Sequence, residues 1–205
     1  MKWRRAVRVL VPVIAAILTA AMGFVLQSAA PIRGIAYFAA TASADAAEGN
    51  LFVPIAKVLR EPRCMNCHPV GDRPRQGDDC HLHLQNVTRG PDDLGFVNLR
   101  CTACHRDENS KYSGVPGAPN WHLAPLSMGW EGLNDAQLCE ALKDKSKNGG
   151  RDVPALVAHM AHDKLVLWGW SPGGNRAPVS IPHDEFVKQL QAWAKANAPC
   201  PTATP

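Results

Sequence analysis

The sequence predicts a mainly α, loop-rich protein with an N-terminal hydrophobic helix, and three observations support this. Apolar residues recur at helical spacing in several separate stretches, no long alternating strand pattern appears, and 17 prolines and 16 glycines punctuate the rest. Residues 1–46 read as an export leader or membrane anchor plus linker. Residues 47–205, about 159 in all, are one domain's worth.

The chain opens Met1-Lys2-Trp3-Arg4-Arg5 and then runs from Val9 to Leu26 without a charged residue, the charge order of an exported protein's leader. As a helix at 1.5 Å per residue, that run spans about 27 Å, just enough to cross a bilayer. A cleaved signal and a retained anchor are both compatible with it. The Ala42-Ser43-Ala44 site lies far beyond the apolar run, and Ser28-Ala29-Ala30 is followed by Pro31, which favours the anchor. Either way the body is placed outside the cytoplasm, in the periplasm. The leader holds Lys2, Arg4, Arg5, Arg8 and Arg33 against Asp45, so the body carries 17 charges of each sign. The sequence pI near 8.7 therefore carries no argument for nucleic-acid binding.

Four helices are expected in the body. Residues 48–59 place Leu51, Ile55, Val58 and Leu59 on one face. Asn134 and Gln137 form a capping box that starts a helix over 134–145 and buries Leu138, Cys139 and Leu142. Asp152 caps a helix over 152–167 with Pro154 in its first turn. Residues 182–197 carry Phe186, Leu190, Trp193 and Ala194 at helical spacing.

Between these lie two copies of one pentapeptide, Cys64-Met65-Asn66-Cys67-His68 and Cys101-Thr102-Ala103-Cys104-His105. CxxCH is the attachment sequence of c-type haem. Two thiols so spaced can add to the two vinyl groups of a porphyrin, and the next imidazole can bind the iron from below. Two covalently bound haem c groups are expected, with Cys64, Cys67, Cys101 and Cys104 as attachment residues and His68 and His105 as proximal ligands. A four-cysteine zinc site is the other chemistry that paired CxxC motifs serve, but it leaves both histidines idle. Only 32 residues separate His68 from Cys101, too few for an independent cytochrome domain around the first motif. Both haems must then share one compact dihaem c-type cytochrome fold.

Six further histidines, His81, His83, His122, His159, His162 and His183, are available as sixth ligands. Met128 and Met160 are the plausible methionines, since Met1 and Met22 lie in the leader and Met65 inside a motif. This supply favours bis-histidine ligation. His159 flanks the apolar stripe Val153, Leu156, Val157 and Met160, while His162 falls on the opposite face. His83 stands between Leu82 and Leu84, and His81 follows a polar stretch. His83 and His159 are thus the preferred distal ligands, with His122, beside Trp121 and Leu123, next.

Three cysteines lie outside the motifs. Cys139 and Cys200 are expected to pair, leaving Cys80 as an exposed thiol in a polar loop. Trp168 and Trp170 read either as ordinary core or as packing on a haem edge. Arg73, Arg75, Arg89 and Arg100 flank the motifs and could pair with propionates.

Beyond the motif pair, "CHPVGDRPRQGDD", "GVPGAPNWHLAPLSMGWEGL", "LCEALKD", "HMAHDKLVLWGWSPGG" and the closing "APCP" resemble a family of bacterial exported dihaem proteins named isoquinoline 1-oxidoreductase subunits, over about residues 51–201. The resemblance implies a cytochrome subunit that accepts electrons from a molybdenum hydroxylase and passes them to the respiratory chain. It does not imply that this chain itself binds isoquinoline, molybdenum or an iron–sulfur cluster. The expected role is electron transfer as an oxidoreductase subunit. The rival expectations are a small dihaem peroxidase and a haem-based sensor, each needing one open iron position.

Overall fold

The computed structural model describes residues 51–202. The expected hydrophobic helix over 9–26, the leader boundary at 46 and residues 48–50 lie outside the described residues. Among those described, no helix is long and apolar enough to cross a membrane.

Helix α1 (Phe52–Leu59) buries Phe52, Ile55, Ala56, Val58 and Leu59, so nearly the whole helix is wrapped by core. Arg60 ends it and reaches across to the Leu133 carbonyl at 2.9 Å and the Asp135 carboxylate at 2.7 Å. Glu61 is extended, which lets Pro62 open the next helix, α2 (Pro62–Met65), where its missing N–H costs nothing.

The middle of the chain is loop with two minimal antiparallel hairpins. Strand β1 (Arg75–Gln76) pairs with β2 (His81–Leu82), Arg75 opposite Leu82. Strand β3 (Gly95–Phe96) pairs with β4 (Leu99–Arg100), Gly95 opposite Arg100. One-turn helix α3 (Cys101–Cys104) follows β4 directly. Gly95 has φ +84°, and a Cβ there would meet the Leu99 carbonyl oxygen at 2.6 Å, so only glycine fits this register.

Helix α4 (Asp135–Lys143) starts with the full reciprocal capping box of Asn134 and Gln137. It ends at Lys143, two residues before the expected stop. Helix α5 (Val153–His162) is capped by Asp152, whose carboxylate accepts from the Ala155 N–H at 3.0 Å.

The expectation of one helix over 152–167 is corrected here. The helix breaks at Asp163, which is extended, and restarts as α6 (Lys164–Leu167). Asp163 offers its own side chain to the Leu165 and Val166 N–H groups, at 2.8 and 3.3 Å, and this local capping competes successfully with helix continuation. A 3₁₀ turn over Trp168–Trp170 follows, and α7 (His183–Lys195) completes the fold.

The core lies where α1 packs on α4 and α7 and where α5 packs on α7. Phe52, Ile55, Leu138, Leu142, Phe186, Leu190 and Trp193 are almost fully buried there, each contributing roughly 1.5–3 kcal/mol by leaving water. Phe52 and Trp193 meet with ring centres 5.6 Å apart. The expected disulfide joins Cys139 of α4 to Cys200, closing a separation of 61 residues. Cys80 is free and half-buried, in the turn between β1 and β2 with φ +54°.

Candidate functional site

The first motif begins on α2. Helical geometry puts Cys64 and Cys67 one turn apart, with the Cys67 N–H donating to the Cys64 carbonyl at 3.1 Å. Both thiols are half-buried, and desolvation raises Cys64 to about 12 and Cys67 to about 11, with Arg63 pulling the other way. They stay protonated at neutral pH and are poorly suited to thiolate catalysis.

His68 follows directly. Its Nδ1 lies 2.8 Å from the Met128 carbonyl oxygen, and its ring stacks on Trp130 with centres 3.4 Å apart and planes 12° apart. A carbonyl can only accept, so Nδ1 carries the proton and Nε2 keeps its lone pair for a ligand. Burial drives this imidazole down to about 3, with His159 and His122 pushing the same way. The loop over 124–130 is laced to the motif by the Ala124 N–H on the Cys67 carbonyl and the Trp130 N–H on the His68 carbonyl, both at 3.0 Å. Gly129 allows that approach, since a Cβ there would meet Val70 Cα at 2.8 Å.

Beside this motif opens a cleft with about 1120 Å³ of space, part of it continuous with solvent. Cys64, Cys67 and His68 line it together with residues of α5, α6 and the Trp168–Trp170 turn. Both His159 and His122 line it, as do Met160, Trp168 and Trp170. His159 Nδ1 stands 3.4 Å from an Asp163 carboxylate oxygen, and His122 Nδ1 contacts the Asn120 carbonyl.

The second motif repeats the arrangement in an open setting. His105 Nδ1 donates to the Pro116 carbonyl at 2.8 Å, and the ring stacks on Trp121 with centres 4.4 Å apart and planes 2° apart. Facing it is His83, whose ring centre is 6.1 Å away at an interplanar angle of 71°. His83 Nδ1 is 3.3 Å from the Gln85 carbonyl. Cys101 is half-buried and Cys104 is exposed.

The two motifs are close. Cys101 lies near enough to Cys67 to raise its pKa further, and Trp121 meets Trp168 edge-on at 4.9 Å between ring centres. Of the histidines singled out in sequence, His83 faces the second motif, and His159 and His122 share the cleft of the first. His162 is exposed, as its helical position implies. The four flanking arginines are engaged within the protein: Arg73 on the His83 carbonyl, Arg75 on Glu131, Arg89 on Asp93 and three carbonyls, Arg100 on Asp92.

Sequence reasoning missed Trp121 and Trp130, the platforms under His105 and His68. Both stand in loops without periodicity, so only their parallel occurrence, one Trp for each motif, could have marked them.

The residues present fit a covalently attached haem at each motif. Each has paired thiols, one imidazole with Nε2 free, and at least one further imidazole in its surroundings. Among the described residues, no three His, Cys, Asp or Glu side chains converge as a metal-holding group, so the four thiols do not form the tetrahedral cluster a zinc site needs. Comparison of the chain with protein-family models, curated proteins and solved structures finds no match in any of the three.

Proposed function

We propose that the chain is a periplasmic dihaem c-type cytochrome, anchored or exported by its N-terminal segment, that relays electrons from a molybdenum-hydroxylase-type dehydrogenase to the respiratory chain. The observation that carries the reading is the duplicated site: two CxxCH histidines, each with Nδ1 tied to a carbonyl, each stacked on a tryptophan. Haem bound there would supply a one-electron iron couple.

The chain's own residues have distinct parts in this. Cys64 with Cys67, and Cys101 with Cys104, provide the covalent attachment. Stacking on Trp130 and Trp121 keeps the His68 and His105 rings from turning, and the carbonyl partners hold the tautomer that leaves Nε2 available. His83 faces His105, and His159 or His122 faces the cleft beside His68. Exposed Leu82, Leu84, Phe96 and Val97 lie in the hairpin region near Cys104, the exposed thiol of the second motif, a surface suited to exchange with another protein, whereas the first motif lies beside a cleft. The hydroxylase as donor and a respiratory component as acceptor rest on the family resemblance.

Mass spectrometry of the denatured protein tests the reading and should show two added porphyrins; zinc without haem would refute it. Both irons should be six-coordinate and low-spin, and His83→Ala should convert one of them to high spin. Rapid carbon monoxide binding to a reduced centre with no ligand displaced would favour a peroxidase or sensor instead. Stopped-flow mixing with a substrate-reduced molybdenum hydroxylase tests the partnership, and no haem reduction would refute that part alone.

A further inference from the structure

Asp163 is placed to do two jobs with two oxygens. Oδ1 caps α6 through the Leu165 and Val166 N–H groups. Oδ2 stands 3.4 Å from Nδ1 of His159, four residues earlier, at the wall of the first cleft. The pairing with His159 is the ordinary i,i+4 contact of a helix, and the break adds the second job. A continuous helix would have kept that contact but offered Oδ1 no free N–H groups, whereas the extended conformation at Asp163 lets the same carboxylate cap the start of α6.

A carboxylate behind an imidazole has a definite effect on a metal ligand. It accepts the Nδ1 proton, fixes the tautomer with the lone pair on Nε2, and raises the basicity of that nitrogen. His122, the other imidazole in the cleft, has only the Asn120 carbonyl of its own loop behind it. His159 also sits on a helix held at its start by Asp152 and packed on α7, with neighbouring Met160 buried in the core. Its backbone is therefore fixed more firmly than that of His122.

We infer that Asp163 is a positioning residue of the first site, which holds His159 as the axial partner of His68 in preference to His122. The inference rests on the dihaem reading proposed above and adds to it a residue that binds no cofactor itself. An anionic partner behind the ligand favours the ferric over the ferrous iron, so it lowers the reduction potential of that centre alone. Both side chains are partly exposed, 31% for His159 and 38% for Asp163, so solvent screening keeps the effect modest.

The test separates capping from positioning. Asn caps a helix as well as Asp, so Asp163→Asn keeps α6 but removes the charge and the acceptor facing Nδ1. In the full-length holoprotein, this variant should keep two covalent haems and a near-wild-type Tm. Spectroelectrochemistry should show one centre raised by up to about 59 mV, a tenfold change in a one-electron equilibrium, with the other unmoved. The same centre should gain a high-spin fraction. Should the Asn variant fold poorly, two further variants decide the matter: His159→Ala should turn the first centre high-spin, and His122→Ala should leave it low-spin. Unchanged potentials and spin states in Asp163→Asn, or a high-spin centre in His122→Ala with none in His159→Ala, would overturn the inference while leaving the dihaem assignment intact. A wild-type protein without covalent haem would overturn both.

Discussion

The first motif packs half-buried against the helical core and the second follows a hairpin with one thiol exposed, although the two pentapeptides are alike. Around the first, burial is the largest of the causes that move Cys64 to about 12 and His68 to about 3. Around the second, Cys104 is exposed, while burial still raises Cys101 and lowers His105. The difference shows that the pentapeptide specifies only which thiols and imidazole stand together. The surroundings decide how dry the site is, which neighbours share it and whether a partner can reach it. What both sites keep in common is the support of the imidazole, a carbonyl on Nδ1 and a tryptophan under the ring.

The contrast is broken most directly by removing the attachment thiols of each site in turn. Cys64→Ala with Cys67→Ala and Cys101→Ala with Cys104→Ala should each lose one porphyrin by mass spectrometry. The first pair should lower Tm far more, because the cleft it empties borders the core residues Leu142, Leu156, Met160 and Phe186. Equal losses of Tm would show that the two sites are equally integral to the fold.

Acid titration of the same two variants sharpens the comparison. His68 is held neutral in the folded state, with its value lowered from 6.5 to about 3 by burial. The unfolded chain takes up a proton below 6.5 and the folded chain does not until about 3, so stability is full above 6.5 and falls as pH drops through that window. The variant lacking the first attachment should show this acid loss by thermal melts, with His68→Gln abolishing most of it. A melt that does not change with pH across the window would mean that His68 is hydrated there.

A smaller effect follows from the disulfide. Closing 61 residues between Cys139 and Cys200 stabilises by roughly 4 kcal/mol in the chain-entropy picture. Replacing both with Ala should lower stability by about that much in denaturant titrations. It should disturb the first site before the second, because α4 supplies Leu142 to the first cleft. A spectral change confined to the second centre would contradict that order.

Much of the helical frame was legible in the sequence because its signals are local. The capping box at Asn134, the Asp152 cap with Pro154, and the stripe Phe186, Leu190 and Trp193 each act within a few residues. The break at Asp163 was not, since its apolar flanks continue the period and only the capping geometry ends the helix. Sequence position put His83 and His159 forward. It did not say which motif each would face, because that depends on hairpin β1–β2 folding back and on α5 packing against α7.

The sequence by itself determined the chemistry on offer. Thiols three residues apart with the imidazole next to them lie within one helical turn wherever the segment folds, and the cap residues fix helix starts through their own N–H partners. Tertiary structure alone decided the rest. His68 meets the Met128 carbonyl across 60 residues and His105 meets Pro116 across 11, and Trp121 joins Trp168 between the two sites. Such pairings are set by how whole elements pack, a balance of burial and loop closure that no local pattern encodes. The same balance set the first motif against the core and left Cys104 of the second exposed.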